Sequence, residues 1–337
     1  MQQSINVAVI GAKNLIGEAV LELLAQRRFP AQRVYAVDGE DYEGDVAAFG
    51  NRELEVHQLA DFAFENVQLA IFVAGSEVAR RYVPDARTAG CVVLDFSAAF
   101  RTDEGVPLVV SGINDNLLLD AGETGLVAVP NCTVTPLAQA LAVFAAKGLS
   151  RVTVSTYQSV SGSGQAAMEE LATQTTSLFA QRETEVNVFA KRIAFNVLPQ
   201  IGDVDTAGVS EEERSVQHEL RRVLALPDLE VEATCVRVPV FFGHGWSVAL
   251  ATEQPLNRDE VALQLEQAGL RVVTESDSFG PYLTPMEATG NDLVWVSRLR
   301  VEGARVQFWL AADNVRSGAA LNIVKLAESM LAKGYLA

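Results

Sequence analysis

Histidine, cysteine and basic charge are scarce in this 337-residue chain, and each scarcity excludes something. Only three histidines occur, His57, His218 and His244, and neither a Cys-x-x-Cys nor a His-x-x-x-His spacing is found, so no zinc site is expected. The three cysteines, Cys91, Cys132 and Cys235, cannot all pair, and Cys91 and Cys235 lie in strand-like apolar runs. That pattern argues against a disulfide framework and suits a reducing cytoplasm. Lys and Arg number 26 against 43 Asp and Glu, a net charge of −17, which argues against nucleic acid or an anionic membrane as partner. Apolar runs stop at about ten residues, well short of a membrane span. Met1-Gln2-Gln3-Ser4-Ile5 has no basic stretch leading into an apolar run, so no signal peptide is expected and the location expected is cytoplasmic. Repeats, low-complexity segments and linker-like tracts are missing as well.

What is present fits an ordinary globular protein too long for one core, hence two domains. Residues 5–10 read as a buried parallel strand, Gly11 to Gly17 as a turn, and Glu18 to Gln26 as a helix with leucines at helical spacing. Arg33–Asp38 closes a βαβ unit, and the alternation recurs through Val67–Ala74, a helix after Ser76, and Cys91–Asp95. The expected fold class is therefore α/β: an N-terminal Rossmann-type, doubly wound parallel sheet that takes its ligand at the carboxyl ends of its strands. Beyond Cys132 and its helix the texture turns β-rich, at Val152–Val160, Val231–Phe242, Trp246–Glu253, Leu293–Glu302 and Arg305–Ala312, with Glu302-Gly303 as a hairpin signal. This reads as an α+β domain on a mixed or antiparallel sheet. The expected division is 1–131 for dinucleotide binding and 132–313 for catalysis and dimerisation, with the C-terminal helix, 314–337, returning to the first domain.

Cys132 is the residue best placed for chemistry. The apolar run Gly125–Val129 delivers it, through Pro130-Asn131, to a break before an Ala/Leu-rich helix. Helix N–H groups and the positive dipole end favour thiolate over thiol, and a thiolate there is a nucleophile toward an acyl carbon. The alternative is a small buried side chain at a strand end.

The cofactor signal is the loop Gly11-Ala12-Lys13-Asn14-Leu15-Ile16-Gly17, between the first strand and first helix, where a pyrophosphate meets a helix N-terminus. Asn14 stands where a middle glycine would be, as the non-glycine residue that best tolerates a left-handed conformation. Asp38, at the end of the second strand, is placed to bond an adenosine ribose. Glu40, Asp41, Glu43 and Asp45 follow with no basic residue among them, so NAD fits better than NADP; except for Asp38, these acids are otherwise a solvated surface loop.

Four further segments, together with Asn131-Cys132-Thr133, resemble the aspartate-semialdehyde dehydrogenase family. They are Ser155-Thr156-Tyr157-Gln158-Ser159-Val160-Ser161-Gly162-Ser163-Gly164, the run from Thr234 through Arg237-Val238-Pro239-Val240 to Gly243-His244, Asp313-Asn314 with Gly318-Ala319-Ala320, and Asp95-Phe96-Ser97 with Phe100-Arg101. The likeness spans nearly the whole chain and looks closest to a diverged branch, the Usg proteins. It implies an NADP-linked, reversible reduction of aspartyl phosphate to aspartate semialdehyde with release of phosphate. Cys132 would form the thioester, His244 would be its acid/base partner, Gln158 would orient the acyl group, and Asn131 would help the oxyanion. Arg237 would grip the α-carboxylate, Glu212 the amino group and Arg101 the phosphate. Gly75, Ser97, Gly162 and Asn314 would join Gly11, Lys13, Asn14, Leu15, Ile16 and Asp38 in holding the cofactor. A homodimer through the β-rich domain is also implied.

Residue chemistry supports those roles independently: thiolate, neutral-range imidazole and forked guanidinium suit nucleophile, proton relay and anion grip. Gly243 and Gly245 flank His244, where the backbone can turn and expose the side chain. His57 and His218 read as surface residues.

The chain also departs from the family. Gly-Ala-Thr-Gly becomes Gly11-Ala12-Lys13-Asn14, the 2′-phosphate-binding Ser and Arg give way to the acidic run, and the phosphate-binding lysine becomes Ser215, with Arg214 as a neighbouring substitute. An alternative function is a weak or inactive paralogue that acts by binding or regulation. An acetylglutamyl-phosphate type reductase is disfavoured by Pro130-Asn131-Cys132 in place of Pro-Gly-Cys. A serine hydrolase at Ser161 or Ser163 lacks the Gly-x-Ser-x-Gly elbow.

Overall fold

The computed structural model describes residues 5–119 and 124–336. It divides into one unit of Met1–Asn131 with Ala319–Ala337, and a second of Cys132–Gly318.

In the first unit, strands β1 (Ile5–Ile10), β2 (Ala31–Asp38), β3 (Val46–Phe49), β4 (Arg52–Gln58), β5 (Leu69–Phe72), β6 (Val92–Asp95) and β7 (Leu126–Ala128) form a sheet of order β3-β4-β2-β1-β5-β6-β7. Every pairing is parallel except β3 with β4. Side chains alternate across β1: Val7 and Val9 pack into one core with α1 (Leu15–Gln26) and the C-terminal helix, Leu321–Ala332. Ala8 and Ile10 pack into the other core with α2 (Ser76–Thr88). Burial on both faces is why these strands read as continuous apolar runs. The order reverses between β1 and β5, so the Gly11 loop opens at a topological switch point.

The β3–β4 hairpin escaped the sequence reading, although its signal is there. Phe49 pairs with Arg52 across Gly50-Asn51, and Gly50 sits at φ +60°. Gly-Asn between two alternating runs is a two-residue hairpin turn.

The second unit carries a mixed six-stranded sheet. Its order is β11-β12-β13-β10-β8-β9, with β8 (Leu149–Gln158), β9 (Glu230–Arg237), β10 (His244–Thr252), β11 (Arg271–Val272), β12 (Trp295–Glu302) and β13 (Arg305–Ala312). Pairs β8–β9 and β11–β12 are parallel and the rest antiparallel. Its principal helices are α3 (Val134–Ala145), α4 (Gln165–Phe179), α5 (Glu211–Val223) and α6 (Arg258–Gln267). Ser210 and Glu213 close a capping box on α5, and Glu211, Glu212 and Glu213 fill its first turn, matching the helix dipole. Among the described residues, no helix is long and apolar enough to cross a membrane.

Candidate active site

Register alone sets three functional side chains side by side. Gln158 ends β8 opposite Arg237, which ends the parallel strand β9, while Gly245 of the antiparallel β10 pairs with Tyr157. His244, the first residue of β10, therefore enters at the same edge. Cys132 precedes α3, and its sulfur lies 3.9 Å from His244 Nε2. Gly318 makes room for it: a Cβ there would stand 2.9 Å from the Cys132 carbonyl oxygen. Gly318 falls within a π-helical turn, Arg316–Ala320, a distortion frequent at functional sites.

A buried polar lattice holds these groups. Glu212 Oε1 accepts from Thr133 Oγ1 at 2.9 Å and from Gln158 Nε2 at 3.0 Å, and Thr156 Oγ1 donates to Gln158 Oε1 at 2.9 Å. Arg237, buried, donates from Nη1 to the Ser159 carbonyl at 2.7 Å. Burial pulls its pKa below the ordinary guanidinium value, while the charges of Glu212, Cys132 and Cys235 oppose the shift. A Cβ on Gly162 would stand 2.9 Å from Arg237 Nη1, so glycine is what lets the guanidinium and the His244 ring approach this backbone. Arg237 also lines a cavity of about 620 Å³ with Ser163, Asn196, Gln200 and Lys191, a cation the sequence reading passed over.

Several expectations are corrected. His244 is fully buried instead of exposed by its glycine neighbours. Those glycines serve packing, since a Cβ at 243 would overlap the Pro285 carbonyl and one at 245 the Trp309 ring. Burial first, then the Arg237 charge, lowers the His244 pKa from 6.5 to about 3, so the ring does not titrate near neutrality. Asn14 is not left-handed: at φ −86° it caps α1, accepting from Ile16 N and Gly17 N. The left-handed position is Gly11, at φ +90°, and a Cβ at Gly17 would overlap the Gly11 carbonyl.

Asn314 turns both ends of its amide inward, to Ser159, Ser161 and the Gly243 N–H. Ser97 Oγ likewise donates to Asp95 at 2.8 Å. Arg214 pairs with Asp205; two residues from Glu212 along a helix, it points about 200° away from it.

Cys132, His244, Gln158, Arg237, Glu212, Gly162 and Asn314 all belong to the second unit. Asn131, Arg101 and the glycine loop belong to the first. Arg101 is buried there, its guanidinium donating to the carbonyls of Val129 and Phe96. Gly75 caps α2 with open space at its Cα, leaving the helix N-terminus approachable. Asp38 is held at the loop: Oδ2 accepts Lys13 N and Oδ1 accepts Gly39 N, both at 2.8 Å. Lys13 Nζ lies 3.5 Å from Asp45, so the acidic run does have a basic neighbour, supplied by the preceding loop. Sequence reasoning missed Thr133, Thr156, Ser159 and Ser161 as the residues that orient the site; all four stood in the quoted motifs without a distinguishing signal.

The buried histidine makes stability acid-sensitive. Between pH 6.5 and 3 the unfolded chain binds a proton that the folded chain refuses, so stability is full above about 6.5 and falls as pH drops. The loss approaches 1.4 kcal/mol per pH unit, about 2 kcal/mol by pH 5. Urea unfolding at pH 7 and pH 5 should show His244→Asn losing less than the wild type by about this amount. Equal losses in both proteins would sink the assignment.

Comparison with known proteins places this geometry. Residues 6–121 match the semialdehyde dehydrogenase NAD binding domain and residues 136–317 its dimerisation domain. The chain is 39% identical to an aspartate-semialdehyde dehydrogenase of Rickettsia bellii, over all of both chains. It superposes on aspartate semialdehyde dehydrogenase II of Vibrio cholerae, complexed with ASA, at TM-score 0.94 and 36% identity, covering 98% of this chain and 99% of that one. A probable aspartate-semialdehyde dehydrogenase from Pseudomonas aeruginosa gives TM-score 0.92 at 34% identity, with 97% and 98% covered. The chain belongs to the aspartate-semialdehyde dehydrogenase family.

Proposed function

We propose that the protein is an NAD(P)-dependent aspartate-semialdehyde dehydrogenase that interconverts aspartyl phosphate and aspartate semialdehyde. The observation that carries this reading is the approach of Cys132 Sγ to His244 beside the buried Arg237, whose charge the half-buried Glu212 supports. In the reductive direction the Cys132 thiolate adds to the acyl carbon, the bond from that carbon to the phosphate oxygen breaks, and phosphate leaves with the electron pair. A thioester remains on Cys132. A dinucleotide held at the Gly11–Gly17 loop would supply the hydride that reduces the thioester. Collapse of the resulting thiohemiacetal oxyanion then releases aldehyde and returns the thiolate. His244 Nε2, 3.9 Å from the sulfur, is the donor to the oxyanion, and Asn131 is assigned to the same oxyanion by resemblance. Gln158 orients the acyl group, Arg237 takes the α-carboxylate, and Glu212 the amino group.

The dinucleotide fits the first unit. Gly11 and Gly17 leave no room for a Cβ, and α1 begins at Leu15 with its positive dipole end toward the loop, which suits a pyrophosphate, while the Ile16 N–H is taken by the Asn14 cap. Gly75 contributes the start of a second helix, and Ser97 and Gly162 are assigned to the cofactor by resemblance alone. The phosphate is assigned to Arg101 by resemblance; within the second unit, Lys191 is a cation on the cavity of Arg237. A homodimer forms through the second unit, where Tyr157, Tyr282 and Trp309 border a groove of about 390 Å³; half-exposed aromatics of this kind suit a second copy. Three free thiols support a reducing cytoplasm as the location.

NAD is the preferred cofactor. A 2′-phosphate near Asp38 meets at least one fixed negative charge, worth about 1–2 kcal/mol after screening and after partial relief by Lys13. A ribose hydroxyl instead donates to Asp38. Phosphate-dependent oxidation of aspartate semialdehyde, assayed separately with NAD and NADP, should favour NAD about tenfold in KM. Asp38→Ser should narrow or reverse that gap. No turnover with either cofactor would remove the proposed function; tighter NADP would remove the role of Asp38 alone. The binding-protein alternative has no specific observation in its favour.

A further inference from the structure

The side of His244 turned away from Cys132 faces a directed series of donors. Nδ1 accepts the Ser159 backbone N–H at 3.2 Å and lies 3.2 Å from Ser159 Oγ. Ser159 Oγ is 3.0 Å from Ser161 Oγ, which accepts from Asn314 Nδ2 at 3.0 Å. The Gly243 N–H, donating to Asn314 Oδ1 at 2.9 Å, fixes which end of that amide faces Ser161. Serines, asparagine and imidazole are all buried, so the orientation of each hydrogen is settled by its neighbours and not by solvent.

A neutral imidazole has one N–H, and a ring nitrogen that accepts a hydrogen bond cannot also carry the proton. The Ser159 hydroxyl can rotate, since Asn314 Oδ1 lies 3.2 Å from it as an alternative acceptor. The backbone N–H cannot rotate. We propose that Ser159 is a positioning residue: its N–H and its hydroxyl both donate to Nδ1, so resting His244 is neutral and carries its proton on Nε2, facing the Cys132 sulfur.

Before substrate binds, His244 is then a hydrogen-bond donor toward a thiolate and not the base that removes the thiol proton. The ionisable groups around the ring are Cys132 on one side and Arg237 at the end of β9, with Glu212 of α5 felt through Arg237. Burial first, then the Arg237 charge, resists a second proton on the ring, with the Gly243 backbone opposing the shift; that proton would also set Nδ1–H against the Ser159 N–H. The neutral donor form lets the site hold an oxyanion without adding a second buried cation beside Arg237. This consequence for turnover rests on the proposed function, but the tautomer does not.

Nitrogen-15 NMR of the free enzyme labelled at histidine reads the tautomer directly, with His244→Asn identifying the resonances. The expected result is an unprotonated Nδ1 and a protonated Nε2, unchanged from pH 5 to 8. An Nδ1–H tautomer, or a doubly protonated ring at pH 7, overturns the proposal. Ser159→Ala removes one of the two donors, so protonation of the ring should begin about half to one pH unit higher, with kcat reduced several-fold at similar KM. Ser159→Thr, which keeps the hydroxyl, should restore both. Wild-type titration and wild-type kcat in Ser159→Ala would remove the positioning role. The expected tautomer in a protein that fails to oxidise aspartate semialdehyde would sustain Ser159 and strike the reading of Cys132.

Discussion

Cys132→Ser is expected to lower aspartate-semialdehyde oxidation on the order of 10⁴-fold or more, with the fold unchanged. A serine hydroxyl does not ionise near neutrality, and neither the α3 dipole nor a neutral imidazole makes up that difference. The oxygen ester would also be a poorer partner for hydride than the thioester. The substitution is nearly isosteric at a half-buried position, so circular dichroism and the urea midpoint should stay close to wild type. Alkylation at neutral pH should mark Cys132 alone. Burial raises the thiol pKa of Cys91 to about 11 and of Cys235 to about 12, which leaves both as unreactive thiols. Initial rates over the wild-type range decide the matter: a Cys132→Ser enzyme with more than a few per cent of normal turnover would mean that the thioester route is wrong.

Arg237→Lys should mainly raise the KM for aspartate semialdehyde, by about 30- to 100-fold, with kcat within several-fold of normal. That corresponds to about 2–3 kcal/mol, the usual worth of a charge-assisted bidentate contact. The guanidinium already donates from Nη1 to the Ser159 carbonyl and rests against Gly162. A lysine ammonium, a point charge on a flexible stem, cannot keep that bond and also present a planar fork to a carboxylate. The split between KM and kcat is informative because Arg237 touches the same residue that holds His244. A fall confined to kcat would show that Arg237 supports the Ser159 segment and does not grip substrate. His244→Asn should do the reverse, depressing kcat with little change in KM.

Much of this protein was legible in the chain because its signals are local. The Ile5–Ile10 strand, the Gly11–Gly17 turn and the leucine-spaced helix announce themselves within a few residues of each other. A nucleophile candidate before a helix, and glycines with no room for a Cβ, are equally short-range facts. The Gly50-Asn51 hairpin belonged to this class and was simply passed over. Residue types therefore determined which chemistry was available: a thiol, an imidazole, two arginines and a carboxylate in an order shared with a known family.

Only the tertiary structure decided how those groups are used, because burial and hydrogen-bond partners come from residues far apart in the chain. Ser159 meets Asn314 across 155 positions, and Cys132 meets His244 across 112. Nothing next to His244 in sequence says that the ring is sealed from water; the glycines on either side suggested the opposite. Once it is sealed, desolvation and the Arg237 charge hold the ring neutral, and a backbone N–H from the turn after β8 selects its tautomer. Asn14 shows the same limit on a smaller scale. Its neighbours allowed either a left-handed turn or a helix cap, and the side-chain bond to the Val73 carbonyl, 59 residues away, accompanies the cap. Sequence determines which atoms can donate, accept or ionise, and folding determines which of them face each other without water between.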